Sequence, residues 1–121
     1  MGYNLENYFA EIDFNQVIGD AFRGQGWTLT YSVDGTNFSF TNYTIDAKIY
    51  DRLNNVETTL TVTKSTTTIT DDTLLLGANK SDLPQTTGMY KYYVTATSDL
   101  DSEESFTIVQ GKIYVANKTE F

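Results

Sequence analysis

The sequence predicts an all-β fold, an antiparallel sandwich of about seven short strands preceded by an N-terminal arm. Three observations predict it. Apolar and polar residues alternate with period two in one segment after another, turn pairs and polar loops separate these segments at short intervals, and threonine is abundant throughout. A chain of 121 residues with 40% hydrophobic and 14% aromatic residues is long enough for one core and too short for two. We therefore divide it into an arm over residues 1–14 and a single sandwich domain over 15–121.

In WTLTYSVDG, Trp27, Leu29, Tyr31 and Val33 share a face while Thr28, Thr30, Ser32 and Asp34 share the other, and the pair Asp34-Gly35 ends the strand in a turn. In TIDAKIYDR, Ile45, Ala47 and Ile49 point inward with Asp46, Lys48 and Tyr50 outward, and the break LNN at 53–55 starts a hairpin. The returning run VETTLTVT reads as one strand over about 56–63, with Val56, Leu60 and Val62 inward. In STTTITDDTLLLGAN, two short strands flank Asp71-Asp72, and the contiguous Leu74, Leu75 and Leu76 are either buried on both sides or bridge a corner. KSDLPQTTG follows, with Ser81, Asp82 and Leu83 as a single helical turn in a crossover at one end of the sandwich.

The two closing ribbons are the clearest. In MYKYYVTATSD, Tyr90, Tyr92, Val94 and Ala96 form the inner face of a long central strand, with tyrosine hydroxyls near the sheet ends. In SFTIVQGKIYV the inner phase changes between Ile108 and Ile113, which requires an extra residue, and Gly111 is the expected bulge. The polar loop SDLDSEE makes these two strands a hairpin, and the whole count of strands and turns points to an immunoglobulin-like sandwich.

The inventory narrows function. There is no cysteine and no histidine, so thiolate nucleophiles, Cys/His zinc sites and Ser-His-Asp triads are excluded, and we expect no enzyme and no cofactor. Sixteen acidic against eight basic residues give a formal charge of −8, which repels phosphate backbones and anionic lipid, so neither nucleic acid nor membrane is an expected partner. The start MGYNLENYFAEIDF has no cationic head or continuous apolar run, and so reads as neither signal peptide nor membrane span.

Four groups of residues merit a functional reading beside a plain one. Asp99, Asp101, Glu103 and Glu104 in SDLDSEE are hard oxygen donors, but without the glycine and ligand spacing of an EF-hand a solvated turn is the better reading, and no metal site is expected. Trp27 with Tyr31 offers a sugar-stacking platform, although their phase with Leu29 places them in the core. Outward Tyr50, Tyr93 and Tyr114 form a candidate partner-binding face, because tyrosine is enriched at interfaces. In the arm, Leu5, Tyr8, Phe9 and Ile12 recur at helical spacing, which predicts a short amphipathic helix over 4–12 with Asn4 as its cap. So short a helix is marginal alone and needs a surface, either its own domain or a neighbouring subunit.

One resemblance is carried by order. Gly19-Asp20-Ala21-Phe22, the Asp34-Gly35 turn, YTIDAKI at 43–49, Leu83-Pro84, GMYKYYV at 88–94 and GKIYV at 111–115 follow one another over nearly the whole chain. This order resembles the small immunoglobulin-like β-sandwich domain of tailed-bacteriophage virion proteins, such as the N-terminal domain of baseplate upper proteins and head- or tail-fibre attachment domains. The resemblance implies a virion location and a structural role as a head decoration, head-fibre or tail-attachment protein. It further implies docking on other virion proteins in many copies or as a homo-oligomer, with no catalytic residues. The alternative is an immunoglobulin-like carbohydrate-binding or adhesin module, which needs an exposed aromatic platform or a metal loop.

Overall fold

A computed structural model describes residues 2–6, 10–66 and 71–121 of the protein. It is an all-β sandwich of two facing sheets. The strands are β1 (Gly2–Glu6), β2 (Ala10–Glu11), β3 (Phe14–Val17), β4 (Thr28–Val33), β5 (Thr36–Asn37), β6 (Tyr43–Tyr50), β7 (Val56–Thr59), β8 (Thr61–Thr66), β9 (Asp71–Gly77), β10 (Gly88–Ser98) and β11 (Ser105–Ala116). One sheet runs β1-β4-β9-β8 with β5 on β4, and the other runs β2-β11-β10-β6-β7 with β3 also on β11. Strands β4, β9 and β8 occupy the B, E and D places of an immunoglobulin-like sandwich, and β11, β10 and β6 the G, F and C places, in a fold of eleven strands where the sequence predicts about seven.

Each sheet buries one face, and the alternation read from the sequence explains most of it. Tyr90, Tyr92, Val94 and Ala96 of β10 are buried, as are Ala47 and Ile49 of β6, and β10 is central between β6 and β11. At the DG turn Asp34 and Gly35 both have positive φ, 52° and 82°, the geometry that a two-residue hairpin between β4 and β5 requires. Aromatic rings fill both ends of the interior. Phe14 packs edge-on against Phe22 and Trp27 and lies 5.6 Å from the Tyr92 ring. At the other end Phe38 gathers Tyr31, Phe40, Tyr43 and Phe106 within 5.8 Å between centroids.

Several expectations are corrected. VETTLTVT is two strands, because the chain leaves one sheet at buried Leu60 and enters the other; the Leu60 N–H still bonds Ala47 before β8 departs to pair with β9. Leu75 is exposed between buried Leu74 and Leu76, so these leucines alternate like any half-buried strand. Val33, the last residue of β4, is exposed, and Val56 is exposed because a register shift between Ile49 and Tyr50 sets it opposite outward Tyr50 rather than on the inner face. The bulge in β11 falls at Ile108, where the pairing with β10 shifts between Val94 and Thr95. Gly111 has a different task, described below.

Of the arm helix predicted over 4–12, residues 4–6 and 10–11 are in strands, and residues 7–9 lie outside the described residues. β1 pairs in parallel with β4, while β2 and then β3 pair in parallel with β11, so this segment adds to an edge of each sheet. The physical reason is competition: an isolated nine-residue helix is marginal, while a sheet edge offers a row of unpaired N–H and C=O groups. Ile12 and Phe14 then pack against the core.

Candidate functional site

The outward face of the six-stranded sheet is where the sequence-predicted tyrosines meet. It is built by register. Tyr50 of β6 stands opposite Lys91 of β10, and Lys91 stands opposite Lys112 of β11. One row along, Lys48 stands opposite Tyr93, and Tyr93 opposite Gln110; at the strand ends Met89 stands opposite Tyr114. Because side chains alternate across a strand, the inward phase of Tyr92, Val94 and Ile49 forces all of these residues outward. The Tyr50 and Tyr93 rings meet edge to face at 5.7 Å, and the Tyr114 ring meets Phe121 at 5.6 Å and 89°.

This face has a chemical pattern that the sequence alone leaves hidden. Lys48, Lys91 and Lys112 are three of the protein's eight basic residues, gathered on three adjacent strands of a chain with formal charge −8. Lys48 pairs with Asp46 at 3.4 Å; among the described residues, neither Lys91 nor Lys112 has an ion-pair partner. Around them Val56, Met89 and Phe121 are each about half exposed. Two shallow hollows lie beside β11 on either side of Lys112, one lined by Glu11, Lys91, Tyr93 and Gln110 and the other by Asp13, Asn15, Met89 and Tyr114.

The step of the N-terminal segment from β2 to β3 is pinned from below. The backbone of Ile12 donates to the Gln110 carbonyl at 2.9 Å and accepts the Tyr92 hydroxyl at 2.7 Å. The Lys112 N–H is received by the Asp13 carboxylate at 2.8 Å. A Cβ at position 111 would stand 2.0 Å from the Ile12 carbonyl oxygen, so only glycine lets this segment lie against the sheet. The glycine read as a bulge is thus a close-approach site.

Of the predicted arm residues, Ile12 is partly buried against the core of its own domain. Leu5 is described through its backbone pairing with Tyr31, and Tyr8 and Phe9 lie outside the described residues. Trp27 is buried against Phe14, which removes it as a sugar platform.

The polar machinery at the sheet ends holds loops. Gln16 is buried and was missed in the sequence, where a lone glutamine has no pattern: its amide donates to Asp20 and Ala21 carbonyls and its oxygen takes the Arg23 N–H at 2.7 Å, fastening the Gly19-Asp20-Ala21-Phe22 turn. Asp51 accepts the Leu53 and Asn55 N–H groups, and these bonds, with that of Asn55 foremost, hold its carboxyl below the usual range. The hydrogen bond to Glu104 pushes the Tyr43 phenol up, and burial does the same for Tyr90.

The SDLDSEE loop joins β10 to β11 at the sheet end opposite Met89 and Tyr114. Asp99 accepts the Thr44 hydroxyl, Asp101 the Glu103 N–H and Glu104 the Tyr43 hydroxyl, so three carboxylates are turned to three separate local donors. Leu100 stands among them 84% exposed. In comparison with known proteins, no family model matches the chain and no curated protein matches it in sequence.

Proposed function

We propose that this protein is a structural component of a tailed-bacteriophage virion, a head-decoration, head-fibre or tail-attachment protein that works by docking on other virion proteins. The observation that carries the reading is the outward sheet face bearing Tyr50, Tyr93 and Tyr114 with its lysines, a surface of rigid amphipathic rings suited to a protein partner. The ordered run of turn and strand motifs that resembles phage virion domains supports the choice of particle. With Ile12 committed to the domain's own core, the sheet face rather than the arm is the better docking surface.

The test is quantitative proteomics of purified particles, comparing the natural chain with Tyr50→Ala/Tyr93→Ala/Tyr114→Ala. The reading expects a fixed copy number per particle that falls at least tenfold in a variant that retains its circular dichroism. Absence of the natural chain from purified particles overturns the reading.

A further inference from the structure

We propose that the outward face of the six-stranded sheet is a self-pairing surface, covered by the same face of a second copy turned end for end, so that the Lys91–Lys112 row meets the partner's acidic 98–104 loop. This deepens the reading of that face as an assembly surface by naming its occupant, and it rests on that reading but not on the particle.

The first argument is a local cost without a local return. Lys91 and Lys112 are directly opposite on neighbouring strands, a like-charge arrangement that weakens a sheet, and Lys48 adds a third ammonium one row away. Glu11 and Asp13 border the hollows beside Lys112, yet among the described residues no carboxylate of the sixteen in this chain comes within ion-pair distance of the Lys91 or Lys112 ammonium. Local departures of this kind are expected at functional sites. Here the missing counter-charge is carboxylate.

The second argument locates that carboxylate. The face is polarised along its strands: lysines with Met89, Tyr114 and Val56 lie toward one end, and Asp99, Asp101, Glu103 and Glu104 lie in the loop at the other. Two copies laid parallel, face on face, set lysines on lysines. Turned end for end, each basic end meets an acidic loop, both contacts are equivalent, and the pair closes at two copies by two-fold symmetry. Leu100, 84% exposed within the acidic loop, then has an apolar seat among Met89, Tyr114 and Phe121 of the other copy.

The third argument is size. The strands of this sheet hold 41 residues, which at roughly 3.4 Å per residue and about 4.8 Å per strand give a face of about 670 Å². That approaches the roughly 800 Å² that a standard protein interface buries on each partner.

The experiment is sedimentation velocity with light scattering on the full 121-residue chain over a concentration series, at about 0.05 M and about 0.5 M salt. A monomer–dimer equilibrium that weakens at least tenfold at the higher salt is expected. Two variants follow: Lys48→Glu/Lys91→Glu/Lys112→Glu on the face, and Leu100→Lys/Glu103→Lys in the loop, whose side chains make no hydrogen bond among the described residues. Each is expected to be monomeric alone with a native circular dichroism spectrum, and the two mixed are expected to form a one-to-one heterodimer. The inference is overturned by a natural chain that stays monomeric at all concentrations, by dimers indifferent to salt or to either variant, or by a mixture that stays monomeric. Incorporation into particles plays no part in this readout, so failure here leaves the virion reading standing with a different occupant on the face.

Discussion

The hydroxyl of Tyr92 donates to the carbonyl of Ile12 at 2.7 Å, joining the central strand to a segment eighty positions earlier in the chain. The bond passes over Gly111, whose missing side chain leaves the space in which the Ile12 carbonyl sits. Tyr92→Phe should therefore cost about 1–2 kcal/mol, the usual penalty for leaving a buried acceptor short of its donor. Gly111→Ala should cost more, because its methyl group meets backbone that cannot move without detaching β2 and β3. Urea unfolding of both variants checks the order; a harmless Gly111→Ala contradicts the packing described.

Neighbouring tyrosines on β10 should behave oppositely. Tyr92 is 1% exposed, and Tyr92→Ala should cost about 3–5 kcal/mol, as for other large buried aromatics. Tyr93 faces outward against Tyr50, so Tyr93→Ala should cost under about 1.5 kcal/mol, the scale of an aromatic pair. Equal losses would place the inner face of the sheet on the wrong phase.

Alkali should unfold the protein through two phenols. In the native state Tyr43 is pushed up by its hydrogen bond to Glu104, and Tyr90 by burial. A folded value above the unfolded one means a contribution fully present below about pH 10 and lost as pH rises through the folded values. Thermal melts from pH 9 to 12 should show stability falling, and Tyr43→Phe/Tyr90→Phe should flatten the fall. A steeper fall in the double variant would reverse the sign.

Calcium should leave the melting temperature unchanged. Three of the four carboxylates of the 98–104 loop, Asp99, Asp101 and Glu104, are turned to three different local donors, the Thr44 hydroxyl, the Glu103 N–H and the Tyr43 hydroxyl, rather than toward a shared centre. Differential scanning fluorimetry with millimolar calcium and with chelator measures this, and a rise of several degrees would establish a bound state that the loop geometry does not prepare.

How far the sequence was legible depends on which interactions decide each element. β6, β10 and, on either side of its bulge, β11 are written in period-two alternation because burial on one face selects every second residue, whereas in β4 Ser32 is buried and Val33 exposed against the expected phase; Asp34-Gly35 is legible because few residues accept positive φ. The N-terminal segment was misread because Leu5, Tyr8, Phe9 and Ile12 have helical spacing, whereas the outcome was decided by distant strand edges that spacing does not encode. Leu60 gave no sign of a change of sheet, since a corner residue and a strand residue are both simply buried. Of the candidate face, the tyrosines were legible one by one; that Lys91 faces Lys112 is a fact of register, and register appears only when strands are paired.

The parallel pairing of β3 with β11 has a consequence for how the molecule is made. Asp13 and Lys112, bonded in the finished sandwich, are 99 positions apart, and ribosomes add about 5–20 residues per second. Phe14 and Ile12 therefore leave the ribosome about 5–20 s before the strand that will cover them exists. For that interval the nascent chain carries an apolar segment without its mate. The last docking step during synthesis belongs to the first strands to emerge, and a chaperone that holds the emerging N-terminus should raise the yield of native protein more than one acting on the finished chain.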